Sequence, residues 1–346
     1  MVELKEVIFH FYKICDTLLV WLLMKKIVIF GGGSGLSQLL KGIKLFPVEI
    51  TAVVSVADNG GSTGLLRREL KIPAVGDITK VMLSMADTNQ DVIDLMNYRF
   101  TKSKSLGIHS VKNLLLMALM DLKGNFASAM PVMEKLLDVK GNILPLTEDN
   151  VDLVGITSSG KKVIGEHQLT KCASKIVEVK YDKEITVNPK VIKAVKEADL
   201  IIFSSGSLLT SIVPHLIDKS LVDVINKAKG EKVYICNLFT QPGETDGFTV
   251  KDHIDYLEKY LGKESIDVVI ANDEVISSDL AKKYRNEEQK DPVLLDMHEL
   301  DESNIYVIKD KLFTIEDGWY RHDALKTGYL LFSYLMDGRK WHLLQV

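Results

Sequence analysis

Two loops rich in glycine and hydroxyl side chains carry the clearest chemical pattern in this sequence. Each follows an apolar, β-branched run typical of a buried strand, the first after residues 25–30 and the second after residues 50–57. Glycine lets a ligand approach the main chain closely, and a helix that follows such a loop offers unpaired N–H groups to phosphate. The loop residues are Gly31, Gly32, Gly33, Ser34 and Gly35 in the first, and Asp58, Asn59, Gly60, Gly61, Ser62 and Thr63 in the second. Together they predict a ligand-binding α/β protein with a nucleotide site.

The first loop matches neither of two well-known phosphate-binding motifs. Gly31 and Gly33 fit the start of a dinucleotide fingerprint, but Leu36 stands where the third glycine belongs, and no Gly-Lys-Ser/Thr follows. A tight strand-to-helix turn without a ligand is therefore an alternative. Asp58 also has two interpretations, because it could hold ribose hydroxyls or cap its own turn.

Other polar residues close to these loops have two interpretations each. Asp77 begins a predicted helix and could bind a metal or serve as the N-cap. Arg67 or Arg68 could hold a diphosphate or be a solvated helix charge. Asn113, near the start of an apolar helix predicted over residues 110–122, could point into a site or satisfy a strand end.

Two polar segments in the second half of the chain also follow predicted strands. The turn at residues 204–207 predicts a second anion-binding helix start, with a simple N-cap as the alternative. The segment 237–245 leaves a strand and stays polar, which is typical of a functional loop. The candidate residues are Ser205, Gly206 and Ser207 in the turn, and Asn237, Gln241 and Glu244 in the segment, where Glu244 could be an acid, a base or a sugar contact.

Motifs for catalysis are missing from the sequence. It contains no nucleophile elbow, no HExxH motif and no His/Asp/Glu cluster at metal-ligand spacing. The pattern therefore predicts a binding site, with no metal site and no assignable catalytic residue.

Strands and helices alternate along most of the chain. This order predicts a doubly wound, mostly parallel, Rossmann-like sheet with its ligand at the carboxyl ends of the strands. Short alternating runs at residues 140–180 predict an antiparallel β insertion. We therefore expect a single domain over residues 24–336, followed by a tail at 337–346.

Composition excludes several classes of protein. The 346 residues carry 43 basic and 47 acidic side chains without a long run of like charge, so no basic footprint for nucleic acid is present. The three cysteines lack a CxxC pair, which favours reduced cytosolic thiols over disulfides or zinc.

The first 23 residues need a separate explanation. Residues 7–24 are apolar but contain His10, Lys13 and Asp16, which makes them a poor membrane span, and no basic leader or small-residue cleavage site is present. Because Met24 would be a natural start before a strand, residues 1–23 are either a misassigned upstream start or an accessory amphipathic helix. In both cases we expect a cytoplasmic protein without a membrane span.

The motifs occur together in one order along residues 25–336. They are Ile29-Phe30-Gly31-Gly32-Gly33-Ser34-Gly35-Leu36, Val56-Ala57-Asp58-Asn59-Gly60-Gly61-Ser62-Thr63-Gly64, Gly76-Asp77-Ile78, His109-Ser110-Val111-Lys112-Asn113-Leu114-Leu115, Ser205-Gly206-Ser207-Leu208-Leu209-Thr210-Ser211-Ile212, Cys236-Asn237-Leu238-Phe239-Thr240-Gln241-Pro242-Gly243-Glu244-Thr245 and Arg321-His322-Asp323. In this combination the sequence resembles the gluconeogenesis factor family, a branch of the CofD-like superfamily that also includes 2-phospho-L-lactate transferase.

The resemblance implies a CofD-like protein that binds a UDP-sugar, UDP-N-acetylglucosamine or UDP-glucose, and requires no cofactor. It implies a non-catalytic regulator of cell shape and envelope synthesis during gluconeogenic growth, with a cell-wall synthesis protein as partner and at least a dimeric state. Tyr284 and Arg321 match family positions that touch the UDP-sugar, where a ring can stack on uracil and a guanidinium can pair with diphosphate.

Two other functions stay open at this point. One is a transferase of the 2-phospho-L-lactate transferase type, which would move a phospholactyl group from a nucleotide diphosphate with Mg²⁺ shared by Asp58 and Asp77. The other is an NAD-dependent oxidoreductase, suggested only by the βαβ opening.

The sequence also departs from the family pattern. Asn59 replaces a usual second acid, Thr79-Lys80 replaces an Arg-Asn pair, Ser204-Ser205 replaces Gly-Pro, and Lys112 replaces a common glycine.

Overall fold

A seven-stranded parallel sheet forms the centre of the molecule. The computed structural model describes residues 24–70, 74–100, 102–103, 106–172, 174–316 and 318–338, without the side chains of 68–70 and 106. The predicted extension at 1–23 and the tail beyond 338 lie outside these residues.

The chain forms twelve strands within the described residues. They are β1 (Lys25–Gly31), β2 (Val48–Val54), β3 (Asn142–Pro145), β4 (Leu153–Thr157), β5 (Lys162–Ile164), β6 (Ile176–Tyr181), β7 (Leu200–Phe203), β8 (Glu231–Ile235), β9 (Val268–Asn272), β10 (Tyr306–Asp310), β11 (Phe313–Glu316) and β12 (Trp319–His322). The central sheet has the order β10-β9-β8-β7-β1-β2-β3, and all of its neighbouring strands run parallel.

Helices connect these strands. They are α1 (Gly33–Ile43), α2 (Gly61–Leu70), α3 (Val75–Met85), α4 (Gln90–Asn97), α5 (Val111–Lys123), α6 (Phe126–Leu136), α7 (Glu166–Thr170), α8 (Pro189–Glu197), α9 (Lys219–Lys227), α10 (Val250–Leu261), α11 (Ser278–Glu288), α12 (Met297–Asp301) and α13 (Ala324–Asp337). Shorter turns lie at Leu106–Ile108 and Val213–Leu216, which are 3₁₀, and at Leu208–Ile212, which is a π turn. None of the helices in the described part of the chain is long and apolar enough to cross a membrane.

Each face of the central sheet is covered by its own hydrophobic core. Alternate residues of β1 point to opposite faces, so that Ile27 and Ile29 belong to one core while Val28 and Phe30 belong to the other. All four side chains are at most 2% exposed. A parallel sheet buried on both faces confirms the predicted doubly wound α/β fold.

The antiparallel region is smaller than predicted. The strand β3, at residues 142–145, pairs parallel with β2 at the edge of the central sheet, so it does not belong to the inserted region as we expected. The separate antiparallel sheet has the order β5-β4-β6 and spans residues 153–181. A four-residue run with alternating burial is too short to distinguish a parallel edge strand from an antiparallel one.

The side of the sheet on which successive strands are added changes between β1 and β7. From β1 the chain adds β2 and β3 on one side, and from β7 it adds β8, β9 and β10 on the other. The carboxyl ends of β1 and β7 therefore mark the topological switch point of the sheet, beside which ligands bind in open α/β sheets.

Candidate functional site

The first glycine loop lies in direct contact with the turn that follows β7. The strand β1 ends at Gly31, and Gly33, with φ of +58°, begins α1 in a conformation that favours glycine. A Cβ atom on Gly35 would lie 1.8 Å from the carbonyl oxygen of Ser205. Glycine at position 35 therefore lets the two loops meet at the switch point.

The turn after β7 is held in shape by two side chains from the polar segment that follows β8. Asn237 donates from Nδ2 to the Gly206 carbonyl and accepts from the Gly206 N–H, both at 2.8 Å. The Glu244 carboxylate accepts from the Ser207 hydroxyl at 2.8 Å, and burial raises the pKa of Glu244. Ser207 also accepts from the Thr210 N–H at 3.0 Å, as an N-cap does. Asn237, Glu244 and Ser207 therefore use their polar atoms within the protein.

The second glycine loop is bonded to the inserted region and to the start of α5. Asn59 Oδ1 accepts from the backbone N–H of His167 at 3.0 Å. Ser62 Oγ lies 2.9 Å from His109 Nδ1 and accepts from Asn113 Nδ2 at 3.1 Å. The oxygen of the Asn113 amide accepts from Thr79 at 2.9 Å. This loop therefore shares a hydrogen-bond network with residues from distant parts of the chain.

Two boundaries differ from the sequence-based expectation. The strand β2 ends at Val54, so Asp58 lies four residues beyond it and accepts from the Gly60 N–H at 2.9 Å, which satisfies its own turn. The helix α3 begins at Val75 after the N-cap Ala74, so Asp77 lies inside the first turn and is not the N-cap. Asp77 stands three residues after the N-cap, where a carboxylate in the first turn still interacts favourably with the helix dipole.

Arg67 is not available to a diphosphate. Its guanidinium is 6% exposed and donates to Asn150, to the Val151 carbonyl and to Asp152. Both interpretations of Arg67, a diphosphate contact and a solvated helix charge, are therefore wrong, because the buried side chain ties α2 to the segment before β4. The side chain of Arg68 lies outside the described residues.

Three carboxyl groups converge behind the first loop. Burial, and then the nearby charge of Asp58, raise the pKa of Asp77 to about 6, while Lys80 and the Gly33 N–H act in the opposite direction. Burial, and then Asp58 and Asp77, raise the pKa of Glu166 to about 7. The described residues contain no set of three or more His, Cys, Asp or Glu side chains arranged to hold a metal by themselves. Glu166 comes from α7 of the inserted region, and nothing in the sequence predicts its place beside Asp58 and Asp77.

A cleft of about 550 Å³ opens along the carboxyl ends of the strands. The predicted site residues that line it are Ser34, Gly35, Ser205, Gly206, Asn237, Gln241, Tyr284 and Arg321. The predicted site residues that do not line it are Gly31, Gly32, Gly33, Asp58, Asn59, Gly60, Gly61, Ser62, Thr63, Asp77, Asn113, Ser207 and Glu244. The predicted residues therefore divide into a group that lines the cleft and a group that does not.

Aromatic side chains form one end of the cleft. Tyr284 is 4% exposed, and its ring stacks on Phe239 with centroids 4.0 Å apart and an interplanar angle of 8°. Trp319 meets Tyr284 edge-on at 5.3 Å and is only partly buried. The Tyr284 hydroxyl accepts from the Tyr320 backbone N–H at 2.7 Å. Since Phe239 already covers one face of the Tyr284 ring, that ring is a wall of the cleft and not an open stacking platform.

The three side chains of the Arg321-His322-Asp323 motif lie in three different environments. Arg321 is exposed at the cleft and forms no ion pair with a carboxylate of the described residues. Burial lowers the pKa of His322 to about 4, which keeps its ring neutral. Asp323 caps α13 by accepting from the Lys326 N–H at 2.9 Å.

Lysines form the other end of the cleft. Lys80 donates to Ser34 Oγ at 2.8 Å, and Lys112 donates to Asn97 Oδ1 at 2.7 Å. Burial, and then the charges of Lys80 and Arg99, lower the pKa of Lys112 to about 8. Lys80 was missed as a site residue, although its position one turn after Asp77 on α3 could have indicated it.

The fold and the cleft define an α/β protein with a polar and aromatic crevice at the topological switch point. The family model described as 2-phospho-L-lactate transferase CofD matches residues 27–313. The chain is 42% identical over 313 residues to the gluconeogenesis factor of Bacillus subtilis, covering 90% of this chain and 98% of that protein. It is 38% identical over 309 residues to the gluconeogenesis factor of Halalkalibacterium halodurans, covering 87% and 94%.

A solved structure supports the same grouping. The crystal structure of a Bacillus halodurans protein superposes with a TM-score of 0.85 at 37% identity, covering 89% of this chain and 99% of that one. The chain belongs to the CofD family and, within it, to the gluconeogenesis factors.

Proposed function

We propose that this protein is a cytoplasmic UDP-sugar-binding regulator, with UDP-N-acetylglucosamine as its ligand, that supports cell shape and envelope synthesis during gluconeogenic growth. The observation that carries the proposal is the division of one cleft into an aromatic end with an exposed arginine and a centre made of backbone and hydroxyl groups. The aromatic end, with Trp319 and Arg321, suits a uracil and its diphosphate.

The centre of the cleft suits the diphosphate because it combines several weak anion-binding features. Ser34 and Gly35 belong to the first turn of α1, whose N–H groups have no intrahelical partner, and both residues line the cleft. The turn at Ser205 and Gly206 lines the opposite side of this centre, where Asn237 bonds the N–H and the carbonyl of Gly206. A nucleoside diphosphate sugar placed across β8, β7 and β1 would have its base at the aromatic end and its diphosphate at the two turns. Its sugar would lie beyond them.

A non-catalytic role fits the way in which the polar residues are used. Other groups of the protein form hydrogen bonds with the side chains of Asn237, Glu244 and Asn113. Side chains that shape the loops in this way are suited to a binding role. The bound state would then be signalled to a cell-wall synthesis protein.

The test is calorimetric titration of the full chain with UDP-N-acetylglucosamine in the absence of divalent cations, followed by chromatography of the mixture. Micromolar binding with the UDP-sugar recovered unchanged is expected, with NAD⁺ and GTP binding at least tenfold more weakly. Tighter binding of NAD⁺ would contradict the proposal and favour an oxidoreductase.

A second candidate is a transferase of the 2-phospho-L-lactate transferase type. It is favoured by the family model and by the proximity of Asp58 to Asp77, whose pKa is raised by burial and then by the charge of Asp58. Mg²⁺ is usually held by one or two carboxylates together with substrate phosphates, so these two side chains fit such an ion. When bound, Mg²⁺ would neutralise charge on a transferring phosphate group. Binding of a guanine nucleotide that requires Mg²⁺ and is lost in Asp77→Asn would support the transferase.

A further inference from the structure

The outward face of the last helix, α13, is apolar. Leu325, Tyr329 and Met336 are 57%, 48% and 58% exposed, and Phe332 between them is half-buried. Spacings of four, three and four residues place these side chains in one stripe along the helix. The opposite side of α13 packs into the core on one face of the sheet. A surface helix normally carries polar residues on its outer face, so the stripe indicates that another surface covers it.

The turn after α1 extends the stripe into a wider apolar surface. The Phe46 ring stacks on Phe332 with centroids 5.1 Å apart and lies 6.5 Å from the Tyr329 ring. Leu45, the residue before Phe46, is 64% exposed. The α13 surface therefore consists of Leu45, Phe46, Leu325, Tyr329, Phe332 and Met336.

The area of the α13 surface suits one half of a homodimer interface. Four of its side chains are about half exposed or more, and at roughly 200 Å² for a large apolar side chain they expose about 400 Å². The half-buried rings of Phe46 and Phe332 raise this apolar area to about 500 Å². A homodimer interface of standard size buries about 800 Å² per copy, of which about 65% is apolar. The two apolar areas therefore agree.

The stripe on α13 is complementary to a second copy of itself. Its spacings of four, three and four residues are the same when the helix is followed in either direction. Two antiparallel copies of α13, related by a two-fold axis, would place Leu325 of one copy beside Met336 of the other. The same axis would place Tyr329 of one copy beside Phe332 of the other. A two-fold interface requires such a self-complementary surface.

The charged residues of α13 are also complementary in this arrangement. Lys326 and Asp337 are its only charged residues, and they lie eleven residues, or three turns, apart on the same edge of the helix. In the antiparallel pair, Lys326 of one copy would lie within about 3 Å, along the helix axis, of Asp337 of the other. Lys326 also pairs with Asp310 of its own chain at 2.8 Å. Since an ammonium group has three donors, it can bind both carboxylates.

We infer that two copies of this chain form a dimer through the α13 surface, with the two α13 helices antiparallel about a two-fold axis. The inference is independent of the proposed function, because none of the residues of the α13 surface lines the cleft.

The test measures the mass of the full chain in solution by sedimentation equilibrium at about 10 µM, since interfaces of this size have Kd values in the micromolar range or below. The wild-type protein should have the mass of two chains. Leu325→Glu should be a monomer, because the dimer would bury the introduced carboxylate against Met336. Val275→Glu, at a side chain that is 86% exposed outside the α13 surface, is the control and should remain a dimer.

A double variant tests the antiparallel arrangement. In Leu325→Glu/Met336→Lys the two introduced charges would face each other across the interface, so the dimer should form again. Within one chain these two positions are about 16 Å apart along the helix, too far for the new charges to pair.

The other outcomes overturn the inference. A wild-type protein with the mass of one chain would refute the dimer, and a dimer that persists in Leu325→Glu would place the interface on another surface. A double variant that stays monomeric would contradict the antiparallel arrangement. Thermal unfolding of each variant checks that a change in mass does not come from a loss of folding.

Discussion

At the scale of single residues, Tyr284 shows what the sequence could and could not predict. Its resemblance to a ligand-contacting family position predicts a contact with the UDP-sugar, and the residue lines the cleft. Its partners Phe239 and Tyr320 lie about 40 residues away on either side in the chain, so no local pattern could predict the stacked ring or the bonded hydroxyl. The partners of Arg67 were not predictable either, because they lie more than 80 residues away in the chain.

Replacing Tyr284 with Phe should reduce stability more than ligand binding. The change would leave the buried N–H of Tyr320 without its acceptor, which costs about 1–3 kcal/mol. We expect a lower free energy of unfolding in a denaturant titration and a Kd for UDP-N-acetylglucosamine within about threefold of wild type. Tyr329→Phe, at a tyrosine that is 48% exposed, is the control and should change neither. A large loss of affinity at unchanged stability would show instead that the Tyr284 hydroxyl contacts the ligand.

At the scale of elements, the strand-loop-helix units were predictable because glycine and apolar periodicity are local signals. The strand predicted at residues 25–30 and the helix predicted over residues 110–122 agree with β1 and α5 to within one residue. The pairing of β3 was not predictable, because its partner β2 is about 90 residues earlier and its length is only four residues. The loops were likewise predicted, but their mutual contact at Gly35 and Ser205 depends on the strand order.

Two glycines of the first loop should respond differently to alanine. Gly33→Ala meets no atom closer than 3.9 Å, and its cost is the positive φ, about 1–2 kcal/mol. Gly35→Ala would place its Cβ 1.8 Å from a backbone oxygen and must push the loops after β1 and β7 apart. We expect Gly35→Ala to lower the melting temperature more than Gly33→Ala and to abolish UDP-sugar binding. Equal effects of the two substitutions on melting and binding would contradict the predicted contact.

At the scale of the whole molecule, the alternation of strands and helices predicted the doubly wound sheet, since few topologies suit that order. The carboxyl cluster was not predictable, because Asp58, Asp77 and Glu166 come from three parts of the chain that only the finished fold brings together.

The carboxyl cluster makes the stability of the protein depend on pH. Between about pH 4 and the raised values near 6 and 7, the folded state binds more protons than the unfolded state. The free energy contributed by these groups therefore falls as the pH rises through this range.

Removing the charge of Asp58 should stabilise the protein only where its neighbours are ionised. At pH 8, Asp58→Asn relieves repulsion with Asp77 and Glu166 and should raise the free energy of unfolding by about 1 kcal/mol. At pH 5 these two neighbours are largely protonated, so the effect should be close to zero. Thermal unfolding at both pH values without divalent cations measures the difference, with Asp223→Asn on the exposed side of α9 as control. Destabilisation by Asp58→Asn at pH 8 would contradict the repulsion that we describe.

The central claim is that the cleft beside Arg321 binds a UDP-sugar, and one comparison tests it most directly. Arg321 is exposed and unpaired within the described residues, so Arg321→Ala should fold normally. Arg285→Ala removes an arginine that pairs with Asp291 outside the cleft and serves as the control. In calorimetric titrations with UDP-N-acetylglucosamine, we predict that Arg321→Ala raises the Kd by about tenfold or more. This change corresponds to the loss of roughly one charge-assisted contact. The Kd of Arg285→Ala should stay close to that of the wild-type protein. Equal affinities for the wild-type protein and Arg321→Ala would contradict the proposed site.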